Sequence, residues 1–332
     1  MIIEKEIFKG IKNVGRKKVA SIDVFPYAEK MYNILMENNS ISELEKTPLL
    51  GNITVSKKDS YSRYDYTMMQ LYMYQFVRKN LNADLTLSLG NKVKCREFNS
   101  MTIQMKDNDF EKIPSIADLL QILAFIYNIG HFKNTFTASR AALNIIRSND
   151  AIKEGFLSNF THEHHINIAK NIIETNNYHR FHLLNSLLFL LNINEDDNVV
   201  ILSINLLTEY LMPKDSQSEK LKYIFNLFVT IRQTCFVAMD LSIAPVPIYL
   251  DFYNDRYLKI LLTERLSGYN DRKQITNLFN GLNKLLQDTV YNEESNALIQ
   301  FDITTRILKK VENSQELKHL MQTSYLSFIN ST

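Results

Sequence analysis

The chain has 332 residues with only 8 glycines and 2 cysteines, and its 38 Lys and Arg residues nearly balance its 36 Asp and Glu residues. Two cysteines are too few for a disulfide-stapled secreted fold or a thiolate zinc site, so we expect a reducing, cytoplasmic setting. A formal charge of +2 provides no general field that would attract nucleic acid, and we expect no nucleic-acid partner. Neither of the two common glycine-rich phosphate loops is present.

No segment of the sequence has the pattern of a targeting signal or a membrane span. The stretch from Met1 to Phe8 carries charged residues where a signal peptide would be apolar. The longest apolar run, from Leu183 to Ile193, is interrupted by polar residues and is too short to cross a bilayer. We therefore expect no membrane partner.

Scarce glycine and proline, with apolar residues recurring every three or four positions, predict a mainly α-helical protein. Phe25-Pro26 opens the first predicted helix, and the polar residues 38–40 close it. Further helices are predicted at residues 64–81, 116–127, 136–147, 165–174, 179–191, 198–211, 218–239, 252–266, 272–289 and 304–328. The segment from Asp84 to Met105 differs, because alternating apolar residues around Gly90-Asn91 predict a small inserted β-hairpin or three-stranded sheet.

Three short motifs, taken in chain order, go beyond a generic helical pattern. The first is Ser62-Arg63-Tyr64-Asp65-Tyr66, which precedes an amphipathic helix. The second is the apolar helix 116–128 with Ile129-Gly130-His131 at its end, and the third is Phe160-Thr161-His162-Glu163. Together they resemble the HD-domain phosphohydrolases, in particular the branch of deoxynucleoside triphosphate triphosphohydrolases.

This resemblance implies the architecture and the domain boundaries. It covers roughly residues 40–255, which we expect to form an HD-domain-like helical bundle with the β insertion at about 84–105. Residues 1–39 and 256–332 are then an N-terminal and a C-terminal helical extension.

The resemblance also implies a metal site whose ligands have been replaced. In the family, a histidine of the first motif, a His-Asp pair of the second and a distant aspartate bind a metal that activates water. Here the first three positions hold Tyr66, Tyr127 and Asn128, and the distant aspartate corresponds to Asp240. A phenol titrates near pH 10 and an amide is neutral, so both are weak ligands. We therefore predict no metal and no other cofactor.

The polar residues around these former metal positions form the predicted binding site. A nucleotide or a phosphate is the expected ligand, because an arginine can bind phosphate through two parallel hydrogen bonds. The predicted ligand-binding residues are Arg63, Tyr66, Tyr127, Asn128 and His131. In the alternative, the replaced residues only fill the former pocket with packed rings and mutual hydrogen bonds, and the arginine pairs with Asp65 or Glu97.

A dense histidine cluster lies at residues 162–165, and it is the second place where chemistry could occur. The candidate catalytic residues of a rearranged phosphohydrolase are His131, His162 and Glu163. A divalent metal belongs only to that alternative, where His162, His165 and Asp240 would be its ligands. The simpler interpretation is a polar helix start with Thr161 as the cap.

Three functions remain open at this point. The leading hypothesis is a catalytically degenerate HD-domain-like protein, not an enzyme, which acts as a nucleotide-binding, protein-interaction or regulatory module. The second is a metal-dependent phosphohydrolase that acts on nucleotides with a rearranged site. The third is an all-helical scaffold for a protein partner. A nucleotide or phosphate, a protein partner or a second copy of the chain are the corresponding binding partners.

Overall fold

The structure is a computed structural model that describes residues 1–6, 19–50, 61–80, 98, 114–132, 135–193, 197–244, 248, 274–291 and a few positions between 301 and 309. Over these residues the protein is mainly α-helical with a small antiparallel sheet, which confirms the predicted fold class at this level. The strands are β1 (Ile2–Glu6) and β2 (Val19–Asp23). The helices are α1 (Pro26–Glu37), α2 (Ser40–Lys46), α3 (Arg63–Asn80), α4 (Ile116–Asn128), α5 (Thr135–Ser148), α6 (Asp150–Leu157), α7 (Glu163–Glu174), α8 (Tyr178–Leu191), α9 (Asn198–Leu211), α10 (Glu219–Ser242) and α11 (Gln274–Leu286).

The sheet lies at the amino terminus, in a segment that we predicted to be a helical extension. β1 and β2 pair in antiparallel register, with Ile2 opposite Asp23 and Glu6 opposite Val19. The prediction of helix for residues 1–39 is therefore wrong for both strands and right only for α1. The physical reason is that β-branched residues favour a strand once a partner strand covers them. The hairpin predicted at 84–105 lies outside the described residues, as does the helix predicted at 252–266.

Two helices begin with the same reciprocal cap. At the start of α3, the backbone N–H of Ser62 donates to the carboxylate of Asp65 (2.9 Å), and the N–H of Asp65 donates to the Ser62 hydroxyl (3.0 Å). Ser115 and Asp118 repeat this arrangement at the start of α4. Such a capping box satisfies backbone donors that the first helical turn leaves free. The Ser-x-x-Asp part of the first motif therefore has a structural role at a helix start.

Helix α4 occupies the centre of the core. All its residues are buried, and it packs against α1, α3, α8, α9 and α10. A helix that is apolar around its whole circumference requires such surroundings. Because its carboxyl-terminal turn carries Tyr127 and Asn128, the positions singled out from the sequence lie at the middle of the bundle.

Among the described helices, α10 is long and apolar enough to cross a membrane, judged by length and composition alone. In its most apolar window 72% of the residues are buried within the protein. The helix packs against α3, α4 and α11, as a core helix of a globular protein does. Its apolarity is therefore weak support for a membrane span, and the absence of a membrane partner stays a prediction.

The turn after α4 comes unusually close to α8. The N–H of Gly130 donates to the Ser186 hydroxyl (3.0 Å), and the amide of Asn185 donates to the Gly130 carbonyl (3.1 Å). A Cβ atom at residue 130 would collide with the carbonyl oxygen of His182 and lie 2.5 Å from the backbone nitrogen of Ser186. Glycine is required here by this backbone contact, which sets the next residue, His131, beside α8.

Candidate functional site

Helices α3, α4, α8 and α10 bring two arginines and two histidines around one tyrosine. The ring of Tyr127 lies 4.9 Å from that of His182, and the guanidinium carbon of Arg232 lies 4.8 Å from the Tyr127 ring centre. We call Arg63, Tyr127, His131, His182 and Arg232 the Arg-His cluster. The rings of Tyr210 and Phe228 pack against Tyr127 at 5.9 and 5.3 Å and close the cluster from α9 and α10.

The two arginines of the Arg-His cluster have no carboxylate within ion-pair distance among the residues that the structure describes. The Nε atoms of Arg63 and Arg232 are buried and make no hydrogen bond. Burial lowers the pKa of Arg63 to about 10, so that its guanidinium is still charged at neutral pH. For Arg232, burial acts in the same direction, but the phenols of Tyr127 and Tyr66 outweigh it and raise the pKa. Both side chains are therefore cations.

The carboxylate that we had considered as a partner for Arg63 binds elsewhere. Asp65 forms an ion pair with Lys5 of β1 (3.0 Å) in addition to its capping bonds. Pairing of Arg63 with Asp65 is therefore wrong, and Glu97 lies outside the described residues. Asp240 of α10 is buried and close enough to raise the pKa of Arg63 against the effect of burial. Among the described residues of the site, one buried carboxylate faces two arginines, which amounts to a net positive charge.

The two histidines are stacked and neutral. The rings of His131 and His182 are nearly parallel, with centroids 3.9 Å apart. Burial and the charge of Arg63 lower the pKa of both well below the ordinary histidine value. Both ring nitrogens of His182 and Nδ1 of His131 are buried without a hydrogen-bond partner. Since buried polar atoms are nearly always paired, three such atoms in one place call for an explanation.

The remaining predicted ligand-binding residues, Tyr66 and Asn128, differ in how they contact the Arg-His cluster. Tyr66 is buried, and its hydroxyl donates to the backbone carbonyl of Arg232 (3.0 Å). This hydrogen bond fixes the backbone of Arg232 at one side of the Arg-His cluster. Burial raises the pKa of Tyr66, which keeps the phenol neutral. The amide of Asn128 donates to the carbonyl of Ala124 in its own helix (2.8 Å). The structure therefore groups Arg63, Tyr127 and His131 with Tyr66 as a neighbour. Asn128 meets this group through its backbone carbonyl, which accepts from the N–H of His131 (3.2 Å), and its Oδ1 atom is buried without a hydrogen-bond partner.

The candidate catalytic residues are not brought together by the described contacts. His131 belongs to the Arg-His cluster, whereas His162 and Glu163 lie at the start of α7. The Nδ1 atom of His162 accepts from the N–H of His164 (3.3 Å), so His162 is the cap of α7 and the prediction of Thr161 is wrong. An imidazole nitrogen can serve as a cap because it accepts a hydrogen bond as a Ser or Thr oxygen does.

His165 is buried against α9 and forms a hydrogen bond there. Its Nε2 lies 3.0 Å from the hydroxyl of Thr208, which itself donates to the carbonyl of Ile204 (2.7 Å). The hydroxyl therefore accepts from Nε2–H, and Nδ1 carries the lone pair, buried and without a partner. Among the described residues, no group of three or more His, Cys, Asp or Glu side chains is arranged to bind a metal.

His165 is expected to make the fold less stable in acid. Burial, with the nearby His162 and His164, lowers the pKa of His165 to about 4. Below about pH 6.5 the unfolded chain binds a proton at His165, whereas the folded chain binds it only below about pH 4. The free energy of unfolding therefore decreases as the pH falls through this window. Between about pH 7 and about pH 5 the free energy of unfolding should lose up to about 2 kcal/mol from this residue.

Urea unfolding of the wild type and of His165→Gln at these two pH values measures this loss. The glutamine amide can still donate to Thr208 but does not titrate. We expect the pH-dependent loss to be smaller in the variant, and an unchanged loss would contradict the assignment.

Two residues of the site were missed from the sequence. His182 is buried in α8 and Arg232 is half-buried in α10, and a polar residue among apolar neighbours was the available signal. Comparison of the chain with models of known protein families, with curated proteins and with solved structures gives no match. The HD-domain relationship therefore depends on the sequence motifs and stays a proposal.

Proposed function

We propose that this protein is a catalytically degenerate, HD-domain-like module that binds the phosphoryl group of a nucleotide or another phosphate ester at the Arg-His cluster, without a metal. The observation that carries this proposal is a pair of arginines, the buried Arg63 and the half-buried Arg232, whose Nε atoms are buried without a hydrogen bond and which form no ion pair with a described carboxylate. Burying an unpaired charge costs several kcal/mol, roughly, so such groups usually have a partner. An anionic ligand would be that partner.

The chemistry of the surrounding groups supports a phosphoryl group in particular. Guanidinium groups bind phosphate oxygens through two parallel hydrogen bonds, and two of them can hold separate oxygens. Among these unpartnered ring nitrogens, the neutral imidazoles of His131 and His182 can each offer one N–H donor. The rings of Tyr127 and Phe228 provide an apolar wall, which strengthens charge-assisted bonds by excluding water.

A divalent metal does not fit the residues at the positions where the resemblance implies one. The hydroxyl of Tyr66 is committed to the carbonyl of Arg232, and the ring of Tyr127 lies beneath the Arg232 cation. Two guanidinium groups beside these positions would also repel a metal cation. These residues therefore favour an anion, and a phosphohydrolase with a metal at this position is the less favoured function.

Thermal unfolding with added ligands tests the proposal. In the presence of EDTA, we expect inorganic phosphate or a nucleoside phosphate to raise the melting temperature of the wild type, because a ligand that binds only the folded state stabilises it. Arg232→Met should lose this response. Arg306→Met is the matched control, since Arg306 is exposed and paired with Asp302 far along the chain.

Two outcomes would count against binding without a metal at this site. One is that no phosphate compound changes the melting temperature of the wild type. The other is that the response requires manganese and is accompanied by release of phosphate, which would favour the phosphohydrolase alternative.

A further inference from the structure

The stacked histidines have a property that the arginines lack, which is a capacity to take up a proton. A neutral imidazole has one N–H donor and one acceptor nitrogen, whereas the protonated ring donates from both. In His182 neither ring nitrogen has a partner, and in His131 Nδ1 has none. An oxyanion offers only acceptors, so in the neutral form the acceptor nitrogen of each ring cannot bind it.

The groups that face this pair keep it neutral when the site is empty. Burial acts most strongly against a positive charge on His182, and Arg63 of α3, Arg232 of α10 and the ring of His179 of α8 act in the same direction, whereas the backbone of His179 favours the charge. The same two arginines act on His131. From α5 the pair meets the uncharged ring of Phe136, at 5.7 Å from His131 and 6.2 Å from His182.

The other titratable neighbours provide little negative charge. Tyr127 of α4 lies against His182, and Tyr210 of α9 lies against Tyr127. Burial raises the pKa of Tyr210 above its usual range, so this phenol is neutral. Asp240 of α10 acts on Arg63. A bound anion would therefore add the negative charge that reverses the preference of the pair for its neutral form.

We propose that the ligand of this site is a doubly charged, terminal phosphoryl group and that its binding is coupled to uptake of a proton by the stacked His131–His182 pair. This inference rests on the proposed function. Two rings at 3.9 Å repel each other when both are charged, so the expected uptake is about one proton per ligand.

The coupling gives selectivity for the charge of the ligand. With Asp240 counted, the two arginines leave one net positive charge, which a monoanion balances. A dianion leaves one negative charge over, and a protonated histidine balances it. A terminal phosphoryl group or sulfate should therefore bind more tightly than a phosphodiester. Because the bound state holds more protons than the free state, affinity should rise as the pH falls.

Isothermal titration of the 332-residue chain with sulfate tests this inference, because sulfate has no proton to exchange near neutral pH. The titration is done in two amine buffers of different ionisation enthalpy, bis-Tris and Tris, which introduce no oxyanion. The difference in observed heat gives the number of protons taken up. We expect about one, with an affinity that falls up to about tenfold per pH unit between about pH 6 and about pH 8.

Dimethyl phosphate is the monoanionic comparison, and it should bind at least about tenfold more weakly than sulfate. The double variant His131→Asn, His182→Asn should bind sulfate without buffer-dependent heat. If that variant does not fold, the wild-type comparison between buffers still decides. Sulfate binding with no proton uptake, or equal binding of dimethyl phosphate, would overturn this inference and leave the proposed function standing. Failure of every anion to bind would overturn both.

Discussion

Replacing Arg63 by methionine is expected to stabilise the ligand-free protein while abolishing its response to phosphate. The side chain is 6% exposed, and of the described carboxylates Asp240 acts on it without forming an ion pair with it. Methionine has a similar length and adapts to irregular space, so it can fill the same volume without a charge. Removal of the buried cation should raise the free energy of unfolding by about 1–2 kcal/mol.

Chemical denaturation of the wild type and Arg63→Met, each with and without phosphate, measures both effects. Such a trade between stability and binding is typical of a functional site, where a residue is kept at a cost to the fold. Arg306→Met, at an exposed ion pair, should change neither quantity by more than about 0.5 kcal/mol. If Arg63→Met instead destabilised the protein strongly, the guanidinium would have a structural partner, and the case for a ligand would fail.

Replacing Gly130 by alanine is expected to be the most damaging single change in the described part of the chain. The added Cβ would collide with the backbone of α8 at His182 and with Ser186, and backbone atoms cannot move aside as a flexible side chain can. The turn would have to shift, with loss of the bonds from Gly130 to Ser186 and from Asn185 to Gly130. We expect a loss of at least about 3 kcal/mol or failure to fold.

Gly155→Ala is the matched control for this prediction. Gly155 lies in α6 with no atom within 4 Å of the position of an added Cβ. Alanine is the better helix former, so this change should stabilise the protein by up to about 1 kcal/mol. Thermal unfolding followed by circular dichroism compares the two variants. Equal melting temperatures for Gly130→Ala and the wild type would show that the contact between the turn and α8 is not needed.

The helical fold could be predicted because its signals are local. Pro26 at a helix start, the apolar repeat of α4 and the polar residues between helices each act within a few positions. The short helices α2 and α6 were missed because one or two turns give too few apolar repeats to recognise. The strands at the amino terminus were missed because their pairing joins residues that are far apart in sequence.

The site could be predicted only in part. The motifs identified Arg63, Tyr66, Tyr127 and His131. Their resemblance to metal-binding positions did not indicate which ligand would bind there in place of a metal. Arg232 and His182 reach the cluster because α10 and α8 pack beside it, and their spacing along the chain does not predict this proximity. The decisive property is that two arginines meet with one buried carboxylate, Asp240, among the described residues, and it exists only in three dimensions.

The most direct test of the central claim is anomalous diffraction from crystals of the 332-residue chain soaked in tungstate, a heavy analogue of a doubly charged oxyanion. We predict an anomalous peak within hydrogen-bonding distance of the guanidinium groups of Arg63 and Arg232 and next to the His131–His182 pair. The same soak of Arg232→Met crystals should remove the peak. An empty cluster in the wild type, with both arginines paired to carboxylates of the protein, would contradict the account.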